Sequence, residues 1–441
     1  MNDWVDQVES RKSLVEHNSG GKAIGKTQAV DSQTQPSSML ASGRSHSVIH
    51  LDDVTRVALM ITPQNVGDVV DQTWEVMSTI RDVLNQQPAP MSLTKQTVFV
   101  RSADEIALIQ DLFKAYYRDR IPATSFIIQP PCDGQSLAIE AWALGGRGVE
   151  VEFPMPNLVT VRYDALRWIY VAGIVSPPTL VNAYDESRFA FNQLKIRLNQ
   201  VGATFNDVSR IWLYQGAITE NESDSNRNTV QRYRELNRAR ADFFQELESD
   251  GQIRTSRNGQ SFYPASTGIG MSGRGLCVSC LGLQTDRDDV RLQPLENPHQ
   301  TPAFDYAATF SPKSPLFSRA MAVKIGDHVT TWISGTASIL NSESVHVGDV
   351  EKQTHQTIDN IQALIGESNF QRHGLAGVTA DSTDLAKIRV YVKRASDYQI
   401  CRDICEARLG DTPAIYAVAD VCRPDLLVEI EGVAFSSIRS Q

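Results

Sequence analysis

A long internal repeat is the feature that most restricts how this chain of 441 residues can fold. Residues 68–84 (DVVDQTWEVMSTIRDVL) and residues 349–365 (DVEKQTHQTIDNIQALI) match in register at an aspartate, a glutamine, a threonine and an isoleucine. In both segments apolar residues recur at the spacing of an amphipathic helix. Repetition of such a segment predicts tandem copies of one structural unit.

Each helix of the repeat is followed by a strand of one pattern. These strands are LTKQTVFVR (93–101) and LAKIRVYVK (385–393), and a middle copy has DVSRIWLYQ (207–215) after its own helix. Strands that end near a glycine, LRWIYVAGI (166–174) and VTTWISGTASI (329–339), precede the middle and last helices. The unit is therefore predicted as strand, helix, strand, second helix and closing strand, which is an α/β arrangement.

Composition places boundaries around these units. We expect a polar tail at 1–47, a first unit at 48–145, a second at 146–283, a connector at 284–316 and a third unit at 317–441. The tail is rich in Ser, Gln and Gly and lacks hydrophobic periodicity, as disordered segments do. The connector contains five prolines, and a long loop inside a compact protein is usually functional.

The charge balance and the apolar runs argue against several classes of partner. The net charge of −10 argues against nucleic-acid binding, because proteins that bind nucleic acid present a basic face. No run of about 18 apolar residues could span a bilayer, and the polar N-terminus has no signal-peptide core. We therefore expect a cytoplasmic protein that binds neither nucleic acid nor membrane.

The six cysteines do not form a recognisable metal site. Cys277 and Cys280 lie in a predicted strand, where an odd separation points the two thiols to opposite faces. Cys401 and Cys405 share a helix face, but no further Cys or His lies nearby to complete a tetrahedral set. We expect free structural thiols, no metal and no organic cofactor.

The segment CRPDLLVEIEGVAF (422–435) places two acids on one side of an otherwise apolar strand. Strand alternation puts Leu427, Glu429, Glu431 and Val433 on the same face. Burying an unpaired carboxylate is costly. Therefore this face is exposed to solvent, or the acids have ion-pair or hydrogen-bond partners, or one of them is catalytic. A desolvated carboxyl group has a raised pKa and can act as a general acid near pH 7.

The last copy, with WISGTASI, GDVEKQTHQTIDNIQALI and LLVEIEGVA, resembles the YjgF family of reactive-intermediate deaminases. Over residues 205–435 the chain is similar to the chorismatases in the order of RIWLYQGAI, VQRYRELNRARADFF, FYPASTGIG, GRGL, LENPHQTPAFDY, SPLFSRA, ISGTASI and ADVCRPDLLVEIEG. Chorismatases are similar to the YjgF fold and hydrolyse chorismate to pyruvate plus a cyclohexadienediol or a hydroxybenzoate. The resemblance implies three YjgF-like domains that form a pseudo-trimer within one chain, either as a monomer or as a homo-oligomer. One active site is expected between the second and third copies, closed by the connector.

The resemblance also assigns residues to this site. Glu429, the first acid of the VEIE strand, would protonate the enolpyruvyl methylene carbon, and Glu431 would be a structural ion-pair or hydrogen-bond partner. Arg274 and Arg319 would hold the carboxylates of a dicarboxylate such as chorismate, with Tyr263 as a hydroxyl contact. The alternative for Glu429 is an ion pair with an arginine across an interface. For Arg274 and Arg319 it is a surface or interdomain salt bridge.

Three smaller residues complete the expected site. By the same resemblance, Cys422 lines the pocket for the ring and influences which product forms, and Ala337 is its small neighbour across the ring, which leaves space for the diol or for a water. Gly335 would let the backbone approach the substrate closely. No base is evident beside Cys422, so we do not expect it to be a nucleophile.

Departures from the related families leave other functions open. The YjgF deaminases carry an arginine seventeen residues before the second Glu of the closing strand, where this chain has Ala414, which argues against imine deamination. His299 and Asp305 stand where chorismatases carry arginines. The alternatives to a chorismatase-like hydrolase are a catalytically silent sensor of small anions and, with weaker support, an imine deaminase or an endoribonuclease of the YjgF type.

Overall fold

The computed structural model describes residues 40–438 except residues 44, 52, 66, 224–227, 256–258, 260 and 307–312. Most of the polar tail expected at 1–47 therefore lies outside the described residues. Its last part differs from the expectation, because residues 40–43 and 46–50 pair with each other at the edge of the first sheet. No helix in the described part of the chain is long and apolar enough to cross a membrane.

The first sheet is built by residues 40–146. Its elements are strands β1 (Leu40–Gly43), β2 (His46–His50) and β3 (Val54–Ile61), helix α1 (Val69–Asn85), strand β4 (Met91–Val100), helix α2 (Ile106–Tyr117), and strands β5 (Ala123–Ile128) and β6 (Leu137–Gly146). The six strands lie in the order β1-β2-β3-β6-β4-β5. Strands β4 and β5 are parallel, and the other neighbours are antiparallel.

The second sheet is built by residues 150–285. Its elements are strands β7 (Glu150–Met155), β8 (Leu158–Tyr163) and β9 (Leu166–Val175), helix α3 (Ala183–Gln200), strands β10 (Val208–Gly216), β11 (Asn221–Ser223) and β12 (Thr229–Gln231), helix α4 (Arg232–Ser249), and strands β13 (Ala265–Met271) and β14 (Leu276–Thr285). The order is β13-β10-β14-β9-β8-β7, and β11 and β12 form a separate hairpin.

The third sheet is built by residues 290–437. Its elements are strands β15 (Val290–Leu295), β16 (Ala320–Ile325), β17 (His328–Ala337), β18 (Ile339–Leu340) and β19 (Glu343–Ser344), helices α5 (Val350–Ile365) and α6 (Glu367–Arg372), strand β20 (Leu385–Val392), helix α7 (Tyr398–Leu409), and strands β21 (Ala414–Val418) and β22 (Val428–Ser437). The order is β15-β16-β17-β22-β20-β21. Short 3₁₀ helices lie at Ala103–Glu105, Phe205–Asp207, Ala303–Asp305, Ser382–Asp384 and Ala395–Asp397.

The repeated helix has the same start in the first and third units. Asp68 precedes α1 and accepts hydrogen bonds from the backbone N–H groups of Val70 and Asp71. Asp349 precedes α5 and accepts one from the N–H of Lys352 at 3.0 Å. An aspartate in this position satisfies N–H groups that have no partner within the helix. The two segments aligned in the sequence are therefore equivalent helices.

The three sheets repeat one strand order, which confirms the predicted α/β fold of three tandem units. An aromatic residue occupies the same position in β4, β10 and β20: Phe99, Tyr214 and Tyr391. The residues paired with them on β6, β14 and β22 are Ala138, Cys277 and Glu429. Glu429 therefore has no acidic counterpart in the other two units.

The units meet one another through equivalent edges, as the predicted pseudo-trimer requires. Strand β5 lies beside β9, β13 lies beside β17, and β21 lies beside β3. The inner faces of all three sheets form one apolar core, in which Trp332 packs against Trp142 at 5.3 Å and Trp212 at 6.3 Å between ring centroids. The outer face of each sheet packs on helices of its own unit.

The stretch expected to be a connector, residues 284–316, contains regular structure. Within it, β15 forms the edge of the third sheet by pairing with β16. After it, Gln300 forms an isolated bridge with Asn341, which lies in the turn between β18 and β19. Division of the chain into domains at the expected boundaries remains a proposal.

Candidate active site

A cavity of about 320 Å³ lies where the second and third units meet. Strand β13 and helix α4 form one wall, and β17 with the segment leading into β22 forms the other. Small-molecule sites in proteins usually have volumes of roughly 300–1,000 Å³. The cavity is large enough for a compact metabolite and lies at the interface where the sequence predicted a site.

Glu429 projects into this cavity from β22. On the two neighbouring strands it lies opposite Ala337 and Tyr391. Burial, with the nearby charge of Glu431, raises the pKa of Glu429 to about 8 against the opposing effects of Arg210 and Arg319. No cation of the described residues lies within ion-pair distance of its carboxyl group. Glu429 is therefore protonated at neutral pH, as a general acid must be.

Gly335 makes room for the Glu429 side chain. A β-carbon at position 335 would overlap the Glu429 carboxyl group and would come within 3.1 Å of the Thr267 methyl group. The backbone N–H of Gly335 donates to the Thr267 hydroxyl at 2.9 Å. Gly335 lines the cavity, and the prediction that its backbone approaches the substrate closely stays a prediction; the structure adds that the absence of a side chain also makes room for the acid.

Glu431, two residues further along β22, has a different environment. It pairs with Arg210 of the second unit at 2.5 Å and with Arg389 of β20 at 2.8 Å. Tyr391 donates its hydroxyl proton to Glu431 at 3.1 Å. Burial alone would raise the pKa of Glu431, but the two guanidinium groups hold it below its usual value. The predicted structural ion pair of Glu431 is confirmed.

Two buried arginines face the cavity on its other side. Arg319 is 4% exposed and donates to the Tyr306 hydroxyl at 2.6 Å and the Thr301 carbonyl at 3.0 Å. Arg240 of α4 is 2% exposed and donates to Asn237 at 2.6 Å. Both guanidinium groups lie 5.4 Å from the centroid of the Phe317 ring.

These two arginines lack an ionic partner in the described part of the chain. No carboxylate there lies within 4.0 Å of either guanidinium, and the Nε–H groups of Arg240 and Arg319 are buried without an acceptor. A buried charge without a counter-ion is costly, so such a pair is best explained by an anionic ligand. The site can thus bind two negative groups close to a protonated carboxyl.

Arg274 does not line the cavity, which corrects its predicted role. It lies in the tight turn between β13 and β14, flanked by Gly273 and Gly275 with positive φ angles. The turn carries its side chain to the surface, where it is 54% exposed and pairs with Glu220 at 3.0 Å. The alternative interpretation as a surface salt bridge describes Arg274 correctly.

Tyr263 also lies outside the cavity. Its hydroxyl donates to Glu248 of α4 at 3.0 Å, and its ring packs edge-on against Phe244. The backbone carbonyl of Tyr263 accepts a hydrogen bond from Ser318, the neighbour of Arg319. Tyr263 therefore supports the wall that carries Arg319, and its expected hydroxyl contact with substrate is not found.

Cys422 and Ala337 do line the cavity, together with Glu429. Burial raises the pKa of the Cys422 thiol to about 12, and the charge of Glu429 contributes. The thiol is therefore neutral and unsuited to nucleophilic attack, as expected. His299 and Asp305, which replace family arginines, do not line this cavity.

Arg240 is a buried residue of the cavity lining that the sequence interpretation missed. It lies on α4 with Tyr233 and Asn237, which also line the cavity, at helical spacings of four and three residues. A polar and cationic stripe on the buried face of a helix is unusual, because such faces are normally apolar. That stripe in VQRYRELNRARADFF was the available signal.

The described residues contain no group of three or more His, Cys, Asp or Glu that could hold a metal ion. Cys277 faces the central core and Cys280 faces α3 and α4, on opposite sides of β14 as predicted. Cys401 and Cys405 are buried beside α5. All six cysteines are unpaired thiols.

Comparison with known proteins identifies relatives over most of the chain. A 3-hydroxybenzoate synthase from Streptomyces hygroscopicus is 35% identical over 286 residues, which cover 62% of this chain and 76% of that protein. A chorismatase from the same organism is 35% identical over 229 residues, covering 51% of this chain and 61% of that protein. A RutC family protein from Pyrococcus abyssi is 25% identical over 124 residues, covering 27% of this chain and 88% of that protein.

The fold has a match among solved structures. The crystal structure of a chorismatase superposes with a TM-score of 0.61 over 87% of this chain and all of that one, at 23% sequence identity. No family model matches the chain. With a relative 35% identical over three quarters of its own length, this chain belongs to the chorismatase family, within the YjgF-like superfamily.

Proposed function

We propose that the protein hydrolyses the enolpyruvyl ether of chorismate, or of a close analogue, to pyruvate and a dihydroxycyclohexadienoate or hydroxybenzoate. The observation that carries this proposal is the protonated carboxyl of Glu429 in a cavity with two unpaired buried arginines. The names of the relatives, a 3-hydroxybenzoate synthase and chorismatases, support the same substrate.

The acid matches the first step of enol ether hydrolysis. Glu429 transfers its proton to the methylene carbon, which forms a C–H bond and leaves an oxocarbenium ion at the adjacent carbon. Water from solvent adds to that carbon and returns a proton to the Glu429 carboxylate. The resulting hemiketal breaks its C–O bond to the ring: its hydroxyl loses a proton as the carbonyl of pyruvate forms, the ring oxygen takes up a proton, and pyruvate leaves with the dihydroxycyclohexadienoate as the other product. A hydroxybenzoate requires the further loss of one water from that ring. A pKa near the working pH suits a group that must first give and then recover a proton.

The arginines match the charges of the substrate. Chorismate carries two carboxylates, and a guanidinium group binds a carboxylate through two parallel N–H donors. Arg240 and Arg319 both lie 5.4 Å from the centroid of the Phe317 ring and have no carboxylate partner among the described residues. We assign one substrate carboxylate to each. Holding both ends of the substrate would place its methylene carbon at Glu429 with little loss of entropy in the reaction step.

The test is incubation of the purified protein with chorismate, with pyruvate followed by a coupled assay. Wild type should release pyruvate, Glu429→Gln should lose at least about a hundredfold in rate, and the exposed Glu220→Gln should match wild type. Pyruvate release that is undiminished in Glu429→Gln would contradict the assigned role of the acid. Absence of pyruvate, with chorismate still raising the melting temperature, would instead favour anion binding without turnover.

A further inference from the structure

A second cavity, of about 710 Å³, lies on the pseudo-threefold axis and is separate from the candidate active site. All three units contribute to it: Val54 and Arg56 from the first, Tyr163 and Leu166 from the second, and Val323 and Phe435 from the third. We call it the axial cavity. It opens at the end of the pseudo-trimer where strands β3, β9 and β17 begin.

Arg56 is a buried cation on the wall of the axial cavity. It is 7% exposed, its guanidinium stacks 4.6 Å from the centroid of the Trp168 ring, and it donates to the Tyr163 hydroxyl. In the described part of the chain no carboxylate lies within ion-pair distance of Arg56, and its Nε–H is buried without an acceptor. Its positive charge is therefore unpaired, and an anion in the axial cavity would supply the counter-charge.

Tyr163 adds a second donor beside Arg56. Its hydroxyl oxygen accepts from Arg56 and from the indole N–H of Trp168, the latter at 3.0 Å. An oxygen that already accepts two hydrogen bonds still has its own O–H to donate. Among the described residues that O–H has no acceptor, so a bound anion could receive bonds from both side chains.

The fold itself does not need a charge at this position. Arg56 pairs with Leu144 on β6, Trp168 pairs with Leu283 on β14, and Thr330 pairs with Phe435 on β22. Leu144, Leu283 and Phe435 each lie six residues after the equivalent positions Ala138, Cys277 and Glu429. Arg56, Trp168 and Thr330 are therefore equivalent residues of the three units, and two of the three are neutral. Because a buried unpaired charge is costly, its presence in one unit calls for a function.

We propose that the axial cavity binds an aromatic monocarboxylate, whose carboxylate pairs with Arg56 and the Tyr163 hydroxyl. The apolar wall formed by Val54, Leu166, Val323 and Phe435 would contact the ring. A single unpaired buried guanidinium fits one negative charge. At the rim of the cavity the two negative charges of Asp53 and Asp327 exceed the one positive charge of Arg147, and Arg287 is already paired with Asp164. This net negative charge disfavours a dianion such as phosphate.

The test is calorimetric titration of the full chain with benzoate, beside the neutral isostere benzamide and inorganic phosphate. To silence the candidate active site, it is done in the double variant Arg240→Gln with Arg319→Gln, and repeated after Arg56→Gln is added to that protein. Benzoate should bind saturably with one site per chain, benzamide and phosphate should not, and Arg56→Gln should weaken benzoate binding at least about tenfold. No saturable binding of benzoate, equal binding of phosphate, or binding indifferent to Arg56→Gln would each overturn the proposal.

A surface variant keeps the test decisive if Arg56→Gln does not fold. Asp53 is exposed at the rim, so Asp53→Asn should fold and remove one repelling charge. The variant should bind benzoate about two- to threefold more tightly at low salt, and the gain should vanish in high salt. Unchanged affinity at low salt would overturn the assignment of benzoate to this cavity.

Discussion

At the scale of single residues, Glu429 and Glu431 show how position on one strand decides protonation. Both side chains leave the same face of β22 and both are buried. Glu431 has two guanidinium groups within ion-pair distance, whereas Glu429 faces the cavity with no such partner in the described part of the chain. Pairing with the two guanidinium groups keeps Glu431 ionised, and desolvation keeps Glu429 protonated.

The buried arginines give a prediction with a built-in control. Arg240→Gln and Arg319→Gln should each lower kcat/KM for chorismate about ten- to hundredfold, because each would lose a charge-assisted pair with a carboxylate. Steady-state pyruvate assays measure this. Arg274→Gln removes the same side chain at an exposed salt bridge and should leave kcat/KM unchanged. A loss in Arg274→Gln equal to that in the other two variants would contradict the structural assignment.

Gly335 gives a second prediction at the same scale. A methyl group at position 335 would overlap the Glu429 carboxyl, so Gly335→Ala should displace the acid and lower the rate of pyruvate release at least about a hundredfold. The matched control is Gly43→Ala, because a β-carbon there meets no atom closer than 3.9 Å. Full activity in Gly335→Ala would mean that the carboxyl position seen here is not the working one.

The sequence predicted much of the site but only one of its two buried cations. Glu429, Arg319, Cys422 and Ala337 meet in the cavity, because the order of the motifs places them on β17, on β22 and in the segments that lead into β16 and β22. Arg274 could not be placed correctly, since whether a turn points inward or outward depends on how units pack. Arg240 was missed for the same reason. The sequence shows which residues share one face of a helix, but it does not show which face contacts another unit.

At the scale of elements, β22 connects the candidate site to the centre of the molecule. Glu431 contacts Arg210 of β10 and Arg389 of β20. Arg389 and Lys387 also pair with Glu140 of β6, which belongs to the first unit. One buried network of ion pairs therefore joins the central strands of all three units, and it begins two residues after Glu429 on β22.

Removing Glu431 should damage this network. Glu431→Gln leaves the buried guanidinium of Arg210 without a counter-ion and Arg389 with Glu140 alone, so the free energy of unfolding should fall by about 3–5 kcal/mol, measured by urea denaturation. Glu220→Gln breaks an exposed pair and should cost less than about 1 kcal/mol. Equal losses in the two variants would show that the network does not stabilise the fold.

Elements with strong periodicity were predicted well, and those without it were not. Helices α1 and α5 and strands β4 and β20 lie where the repeated segments place them. Strand β15 lies in the stretch 284–316, where five prolines, Pro294 of β15 among them, predict a connector. Proline is tolerated on edge strands, where one side of the backbone needs no partner, and β15 is such an edge. Strands β1 and β2 were hidden in a polar segment for lack of an apolar run.

At the scale of the whole molecule, triplication separates the roles of three equivalent interfaces. The positions of Glu429 in the first and second units are occupied by Ala138 and Cys277. Burial raises the pKa of Cys277 to about 12, so neither residue can supply a proton as Glu429 does. A single chain thus forms three equivalent interfaces, and one of them carries an acid at the position of Glu429. The other two interfaces can contribute to stability or to binding.

The most direct test of the central claim, that Glu429 acts as a buried general acid, is the pH dependence of kcat/KM for pyruvate release from chorismate. An acid with a pKa of about 8 must be protonated in the free enzyme, so kcat/KM should be level below that pH. Above it the value should fall about tenfold per pH unit, and the residual activity of Glu429→Gln should lack this limb. A wild-type profile that rises through pH 8, or an alkaline limb that persists in Glu429→Gln, would contradict the account.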